Sequence, residues 1–206
     1  MSITPIEEDR WVRFLEATAH IPPRDTLVRS LDLFAAEGRP LDDDLALDLG
    51  CGAGNDALEI LRRGWRLHAV DAHPEAIRRV MERVPLEMAS RLETEVARFE
   101  DLVPPPARLI NASFALPFCP PSEFPRFWST LLDALEPGGR ISGQLFGDRD
   151  EWAERDEMTF YSRTEAEGLL SSLEIEMFDE IERDGSTATG DPKHWHIFSV
   201  VARRRI

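Results

Sequence analysis

Glycines at two-residue spacing directly behind an apolar run leave a chain few ways to fold. This one carries them from Leu45 to Asn55, as Leu-Ala-Leu-Asp-Leu-Gly-Cys-Gly-Ala-Gly-Asn. Leu45, Ala46, Leu47 and Leu49 suit a short strand buried on both faces, and Gly50, Gly52 and Gly54 follow at once. From Ala53 the pattern turns helical, with Ala57, Leu58 and Leu61 on one face and Asp56, Arg62 and Arg63 outside it. Glycine lacks the Cβ that would block a sharp bend or the close approach of a ligand. Strand, glycine bend and helix start therefore predict a nucleotide-binding corner.

Spacing separates two families that build this corner. The dinucleotide fingerprint G-x-G-x-x-G requires glycine at position 55, which is Asn55. The order Asp48-x-Gly50-x-Gly52-x-Gly54 instead resembles motif I of the class I S-adenosylmethionine (SAM) dependent methyltransferases. That resemblance implies that Asp48 closes the first strand and that the backbone of Gly50, Cys51, Gly52 and Gly54 lies against the methionyl part of the cofactor. Asp71 ends the apolar segment Leu67, His68, Ala69, Val70, and Ala72 follows it. An acid at that distance past the glycines suits the ribose hydroxyls in both families, so Asp71 does not discriminate between them. Its purely structural role would be to cap a helix before Pro74.

Further along, Phe99-Glu100-Asp101-Leu102 is similar to the family's third motif, where an acid accepts from the adenine amino group beside apolar neighbours. Asp101 is favoured over Glu100 for that role, with Leu102 beside it. Leu135-Glu136-Pro137-Gly138-Gly139 resembles the turn that leads into the family's fifth strand, and its pairing with motif I is more specific than either alone. Asn111-Ala112-Ser113-Phe114 ends the fourth strand, where open α/β sheets place their ligand crevice. Asn111 is assigned to the cofactor, and Ser113, Phe114 and Phe118 to the acceptor side. The Asn-Pro-Pro-aromatic element of amino-methyltransferases lacks both its prolines here.

Alternation of strand and helix from residue 45 predicts a mainly parallel sheet covered on both faces. The resemblance completes it as a three-layer αβα, Rossmann-like class I methyltransferase fold. Its seven strands would be ordered 3-2-1-4-5-7-6, the seventh antiparallel. One domain over 1–206 is expected: a helical preface at 1–44, a SAM-binding core at 45–146, and a helix with an antiparallel hairpin at 147–206. Expected helices include one carrying Trp11, Phe14 and Leu15, one from Asp25 to Ala36, and one from Ser122 to Leu135. In the family such a preface covers the site, which makes Trp11 an acceptor-side candidate. Arg24 is a candidate contact for an anionic acceptor or the cofactor carboxylate. Asp42, Asp43 and Asp44 read as a solvated turn, and the acidic loop from 148 to about 159 as a mobile segment able to cap the site.

A net charge of −15 repels a phosphate backbone, which argues against DNA or RNA as substrate. No window approaches a membrane span, and the first ten residues lack the basic and apolar regions of a secretory signal, so a cytoplasmic protein is expected. Cys51 and Cys119 suit neither a disulfide framework nor a zinc site. In Lys193-His194-Trp195-His196, alternation puts the histidines on one face, yet without an evident carboxylate partner no metal is expected. No G-x-S-x-G elbow supports a hydrolase.

Methyl transfer from a sulfonium needs alignment more than acid–base help, so no catalytic dyad is required. The single-domain layout is similar to the tellurite-resistance and thiopurine methyltransferases, which implies a small acceptor with a soft sulfur, selenium or tellurium nucleophile. A monomer or homodimer is expected. The rival readings are an NAD-type oxidoreductase and a non-catalytic SAM-binding protein.

Overall fold

The computed structural model describes residues 5–38, 41 and 43–206, with only the helical backbone given for 5–9. Asp42 of the expected acidic turn and the first four residues lie outside this set. Fourteen main elements follow in order: α1 (Pro5–Thr18), α2 (Asp25–Ala36), β1 (Leu45–Leu49), α3 (Asn55–Arg62), β2 (Arg66–Asp71), α4 (Pro74–Arg83), β3 (Leu92–Val96), β4 (Ala107–Ala112), α5 (Phe124–Ala134), β5 (Leu135–Gly147), β6 (Phe160–Tyr161), α6 (Arg163–Leu169), β7 (Glu174–Ser186) and β8 (Pro192–Arg203).

The sheet runs β3-β2-β1-β4-β5-β8-β7, parallel from β3 to β5, with β8 antiparallel to both neighbours. This is the expected order with one addition. The two-residue β6 pairs parallel with Phe146 and Gly147 of β5, beyond the last β4 partner at Gly143. So short a strand carries no periodicity to read.

Period-two alternation divides the core between the faces. Leu47, Leu49, Val70, Ile110 and Ala112 pack with Phe127, Trp128 and Leu131 of α5 and Ala166 of α6. Ala46, Leu67, Ala69 and Leu109 pack with Leu27, Leu31 and Phe34 of α2, Ala57, Ile60 and Leu61 of α3, and Val80 of α4. Helix starts follow local chemistry. Pro74 occupies the first turn of α4, where His73 Nδ1 accepts from the Glu75 N–H at 3.2 Å, and Ser162 with Glu165 forms a capping box on α6.

Several boundaries differ from expectation. Helix α3 starts at Asn55, so Ala53 and Gly54 still belong to the bend. The Glu136–Gly139 turn is absorbed into β5 as a register shift opposite Ala107 and Leu109. The hairpin strands run to Ser186 and from Pro192, with Asp184 and Gly185 pairing across to His194 and Lys193.

The loop after β5 is stitched down rather than loose. Asp150 accepts from the N–H groups of Trp152 at 3.0 Å and His196 at 3.2 Å, and the Thr159 N–H donates to the Pro117 carbonyl at 2.9 Å.

Candidate cofactor and acceptor site

The glycine bend sits at the carboxyl end of β1. Gly50 and Cys51 both donate to the Val70 carbonyl, at 2.8 and 3.1 Å, which ties the bend to β2. Gly50 (φ +68°) and Gly54 (φ +82°) adopt left-handed backbone. A Cβ on Gly50 would lie 2.6 Å from Ala115 Cβ, and one on Gly54 3.0 Å from Val80 Cγ2. Space and backbone angle both demand glycine here.

Asp71, at the end of β2, anchors the floor of the bend. Its Oδ2 accepts from the Gly52 N–H at 3.0 Å and its Oδ1 from the His73 N–H at 2.8 Å. Burial pushes this carboxyl up, while those two donors hold it down. Each oxygen keeps a lone pair for a ribose hydroxyl.

Asp48 is buried beside a second acid. A single amide nitrogen, Asn111 Nδ2, donates to Asp48 Oδ1 and to Asp56 Oδ2, both at 2.9 Å. Among the described residues Asp48 Oδ2 has no hydrogen-bond partner. Burial first, then the charge of Asp56, push the Asp48 carboxyl up to about 8 despite the hydrogen bond from Asn111. Asn111 Oδ1 accepts from Ser142 at 3.0 Å and Ser113 at 3.3 Å, so its orientation is fixed. An orphaned acidic oxygen, a bend that no Cβ can enter and an anchored Asp71 fit a ligand carrying both an ammonium and a ribose.

Helix α1 lies across this corner. Leu15 Cδ2 comes within 3.8 Å of where a Cβ on Gly52 would stand, and Asn55 Nδ2 donates to the Thr18 carbonyl at 2.8 Å. Asn55 Oδ1 also accepts from Arg83 at 2.9 Å. Position 55, which the dinucleotide fingerprint reserves for glycine, thus carries an amide wedged between two helices. Trp11 meets Phe14 and Phe118 edge-on, at centroid distances of 5.5 and 5.6 Å.

On the acceptor side, Phe114 stands just past β4 with φ +53°, a strained value for a residue with a side chain. Its N–H donates to Gln144 Oε1 at 3.0 Å, and Gln144 Nε2 donates to Thr26 Oγ1 at 3.1 Å. The Arg24 guanidinium covers the Phe114 ring at 4.6 Å, and the Arg24 N–H donates to Asp56 Oδ1 at 2.9 Å. Burial lowers the Arg24 pKa, partly offset by Asp56 and Asp25. Trp11 thus pairs with Phe118 and Arg24 with Phe114, while Ser113 serves Asn111.

Other assignments fall further out. Ala72 is exposed; Glu100 is paired with Arg98 at 2.7 Å; Asp101 is exposed; Leu102 is buried in the core. Cys51 is buried, and its thiol is pushed well up by burial and the nearby aspartates. The element of the third motif that reaches the corner is Phe99, whose Cζ lies 3.9 Å from a Cβ built on Gly50 and whose ring stacks on Phe127. Asp56, read as lying outside the helix stripe, is buried in the site. No local pattern announces it, because its partners Asn111 and Arg24 are distant in sequence. The histidines of β8 do have carboxylates beside them. His194 Nδ1 lies 2.7 Å from Asp184 Oδ1 and His196 Nε2 lies 2.9 Å from Glu180 Oε1, partners that only strand pairing supplies. Among the described residues no group of three His, Cys, Asp or Glu side chains is placed to hold a metal ion.

Residues 46–139 match a family model described as a methyltransferase domain. A curated relative, the probable cobalt-precorrin-6B C(15)-methyltransferase (decarboxylating) of Methanothermobacter thermautotrophicus, is 31% identical over 115 residues, 55% of this chain and 57% of that protein. The chain thus spans a little over half the length of that relative. Three crystal structures share the fold at low identity. TehB from Haemophilus influenzae matches with a TM-score of 0.67 at 16% identity, over 84% of this chain and 61% of its own. The 1,6-didemethyltoxoflavin-N1-methyltransferase of Burkholderia thailandensis gives 0.64 at 18% identity over 100% and 92%. The N-methyltransferase NodS of Bradyrhizobium japonicum gives 0.63 at 17% identity over 98% and 88%. The matched segment, a little under half of the chain, contains the glycine bend, and the sheet order carried through to the antiparallel β8 is that of the class I SAM-dependent methyltransferase fold.

Proposed function

We propose that this protein transfers a methyl group from SAM to a small-molecule acceptor, with a soft sulfur, selenium or tellurium nucleophile as the favoured class. One observation carries the cofactor half of this reading: the glycine bend, anchored by Asp71, stands beside the unpartnered Asp48 oxygen. Asp48, with Asp56 behind Asn111, would hold the ammonium, Asp71 the ribose hydroxyls, and Phe99 one face of the adenine. Arg24, whose N–H donates to Asp56, is the candidate cation for a carboxylate. When bound, SAM supplies an already activated methyl group on a sulfonium.

The chain's own contribution is alignment and exclusion of water. Leu15 of α1 covers the bend, while Phe114, and Phe118 with Trp11 beside it, would offer an apolar wall to the acceptor. A low-polarity wall favours a step in which an anion meets a cation, because charge is lost as the bond forms. Thiolates and their heavier relatives are anionic near neutral pH and need little base. The strongly acidic surface disfavours nucleic-acid acceptors. Among the described residues no helix is long and apolar enough to cross a membrane.

Calorimetric titration with S-adenosylhomocysteine, followed by transfer from labelled SAM across thiols, phenols and amines, tests both halves. Saturable binding and turnover of at least one thiol are expected. Binding without turnover of any acceptor would make this a SAM-binding protein, and no binding would remove the cofactor assignment.

A further inference from the structure

Lys193 is the second residue of β8, at the head of the segment Lys193-His194-Trp195-His196. Its side chain is fully buried, which is costly for an ammonium unless it is paired. The pairing is thorough. Lys193 Nζ donates to Asp150 Oδ1 and to the His194 carbonyl, the latter at 3.2 Å. Three aromatic rings surround the same nitrogen: Trp195 at 4.1 Å, Trp152 at 4.3 Å and Phe146 at 5.5 Å from their centroids. All three fall within the range where a ring face attracts a cation.

Two of these rings face the acceptor side as well. Phe146 and Trp195 meet Phe114 at 6.2 and 6.4 Å, and each other at 5.8 Å. Phe114 in turn lies under Arg24. The rings therefore form one continuous wall, with Phe114 at the bend and Lys193 behind it. Asp150 closes the back of the cage and fixes the loop after β5 through the Trp152 and His196 N–H groups.

We propose that Lys193 is a positioning residue: its ammonium fills an aromatic cation cage made by Trp195, Trp152 and Phe146, and so sets the ring wall that backs Phe114 on the acceptor side. The cage holds the protein's own cation in the place where an alkylammonium ligand would otherwise bind. The wall thus presents only ring edges and faces to the acceptor, which suits a neutral or anionic aryl nucleophile and disfavours an ammonium. The role of the wall rests on the methyl-transfer reading above, whereas the cage itself does not.

Removing the lysine beyond Cβ leaves space for its missing atoms, which n-propylammonium matches in length and charge. In the full-length Lys193→Ala protein, n-propylammonium chloride is expected to shift tryptophan emission saturably and raise the melting temperature. n-Propanol, of the same shape without the charge, should do neither, and wild type should not respond to either. Lys193→Met keeps most of the bulk but not the charge, and should not respond to propylammonium either.

With thiophenol as acceptor, Lys193→Ala is expected to raise the acceptor KM roughly tenfold, the scale of a modest misplacement of reacting groups, and to leave the SAM KM unchanged. Propylammonium should reverse that rise. Absence of a propylammonium response in a folded Lys193→Ala protein overturns the cage. An unchanged thiophenol KM, or a Lys193→Met protein indistinguishable from wild type, overturns the positioning role. Should wild type bind S-adenosylhomocysteine yet methylate no acceptor, the methyl-transfer reading falls and the wall role falls with it, while the emission titration still decides the cage.

Discussion

Asp48→Asn isolates the electrostatic cost built into the glycine corner. In the folded protein the Asp48 carboxyl is pushed from an ordinary 3.8 up to about 8, by burial and by the neighbouring Asp56. Between these two values the folded state holds a proton that the unfolded chain releases. Unfolding free energy must therefore fall as pH rises through that window, and level off above it. One pKa unit corresponds to about 1.4 kcal/mol, so wild type loses roughly 3 kcal/mol from this group between about pH 5 and pH 7. The amide that replaces the carboxyl would still accept from Asn111 but cannot ionise, so that slope vanishes. Other groups titrate nearly alike in both proteins and cancel in the difference. Urea denaturation at about pH 5, 6 and 7 should show the variant gaining on wild type by about 1.4 kcal/mol per unit. S-adenosylhomocysteine affinity should fall, because the orphaned acceptor is gone. Parallel pH curves for the two proteins would refute the reasoning, since they would mean that Asp48 is already ionised in the folded state.

Other perturbations probe the same frame. Asp71→Ala removes the acceptor for the Gly52 and His73 N–H groups and the proposed ribose contact; calorimetry should show S-adenosylhomocysteine affinity reduced by about 2 kcal/mol or more, the scale of a lost hydrogen bond to a charged group. Gly50→Ala places a Cβ 2.6 Å from Ala115 at φ +68°, so chemical denaturation should show a loss of about 1–3 kcal/mol from overpacking and backbone strain. Arg140, buried in β5, holds Glu176 at 2.6 Å and Glu37 at 2.8 Å and covers the Phe34 ring at 4.3 Å. Arg140→Met strands Glu176, while Glu37 keeps Arg203 at 3.5 Å and Arg108 at 3.7 Å. The substitution should cost about 3 kcal/mol by urea titration, with cofactor affinity unchanged.

What could be read from the chain, and what could not, divides along range of contact. Asp48, the three glycines and Asp71 are legible because one strand, one bend and the next strand fix their positions over a few tens of residues. Asp56 hides in plain view beside them: its burial depends on Asn111 and on the Arg24 N–H, both brought in by tertiary packing. Gln144 likewise looks like an ordinary strand residue until it is found bridging the Phe114 N–H to Thr26 of α2. Phe99 passes as an apolar neighbour of the acids Glu100 and Asp101, yet it is the member of that motif that reaches Gly50. The loop after β5 looks mobile from its acidic composition; its anchor is Lys193, more than forty residues later, so no local window contains both partners.

The corner's charge supplies a reason for its polarity. Asp48, Asp56 and Asp71 converge on one bend, and their direct side-chain hydrogen-bond partner is the neutral Asn111 amide, shared by two of them. The Arg24 guanidinium is turned onto the Phe114 ring, and that of Arg83 is engaged by the Ala53 carbonyl and the Asn55 amide. Burial first, and the charge of Asp56 beside it, raise the energy of an ionised Asp48 in the empty site, visible in the upward push on its carboxyl. A ligand bearing an ammonium and a sulfonium relieves that energy, whereas a pyrophosphate would add to it. The same arithmetic that favours SAM therefore counts against a dinucleotide, independently of the amide at Asn55. It also implies that cofactor binding near neutral pH releases a proton as Asp48 ionises. Titration of S-adenosylhomocysteine in two buffers of different ionisation enthalpy should give apparent binding enthalpies that differ accordingly, and that difference should vanish in Asp48→Asn. Equal enthalpies in wild type would show that the proton stays, and would take away the electrostatic argument for the ammonium at this acid.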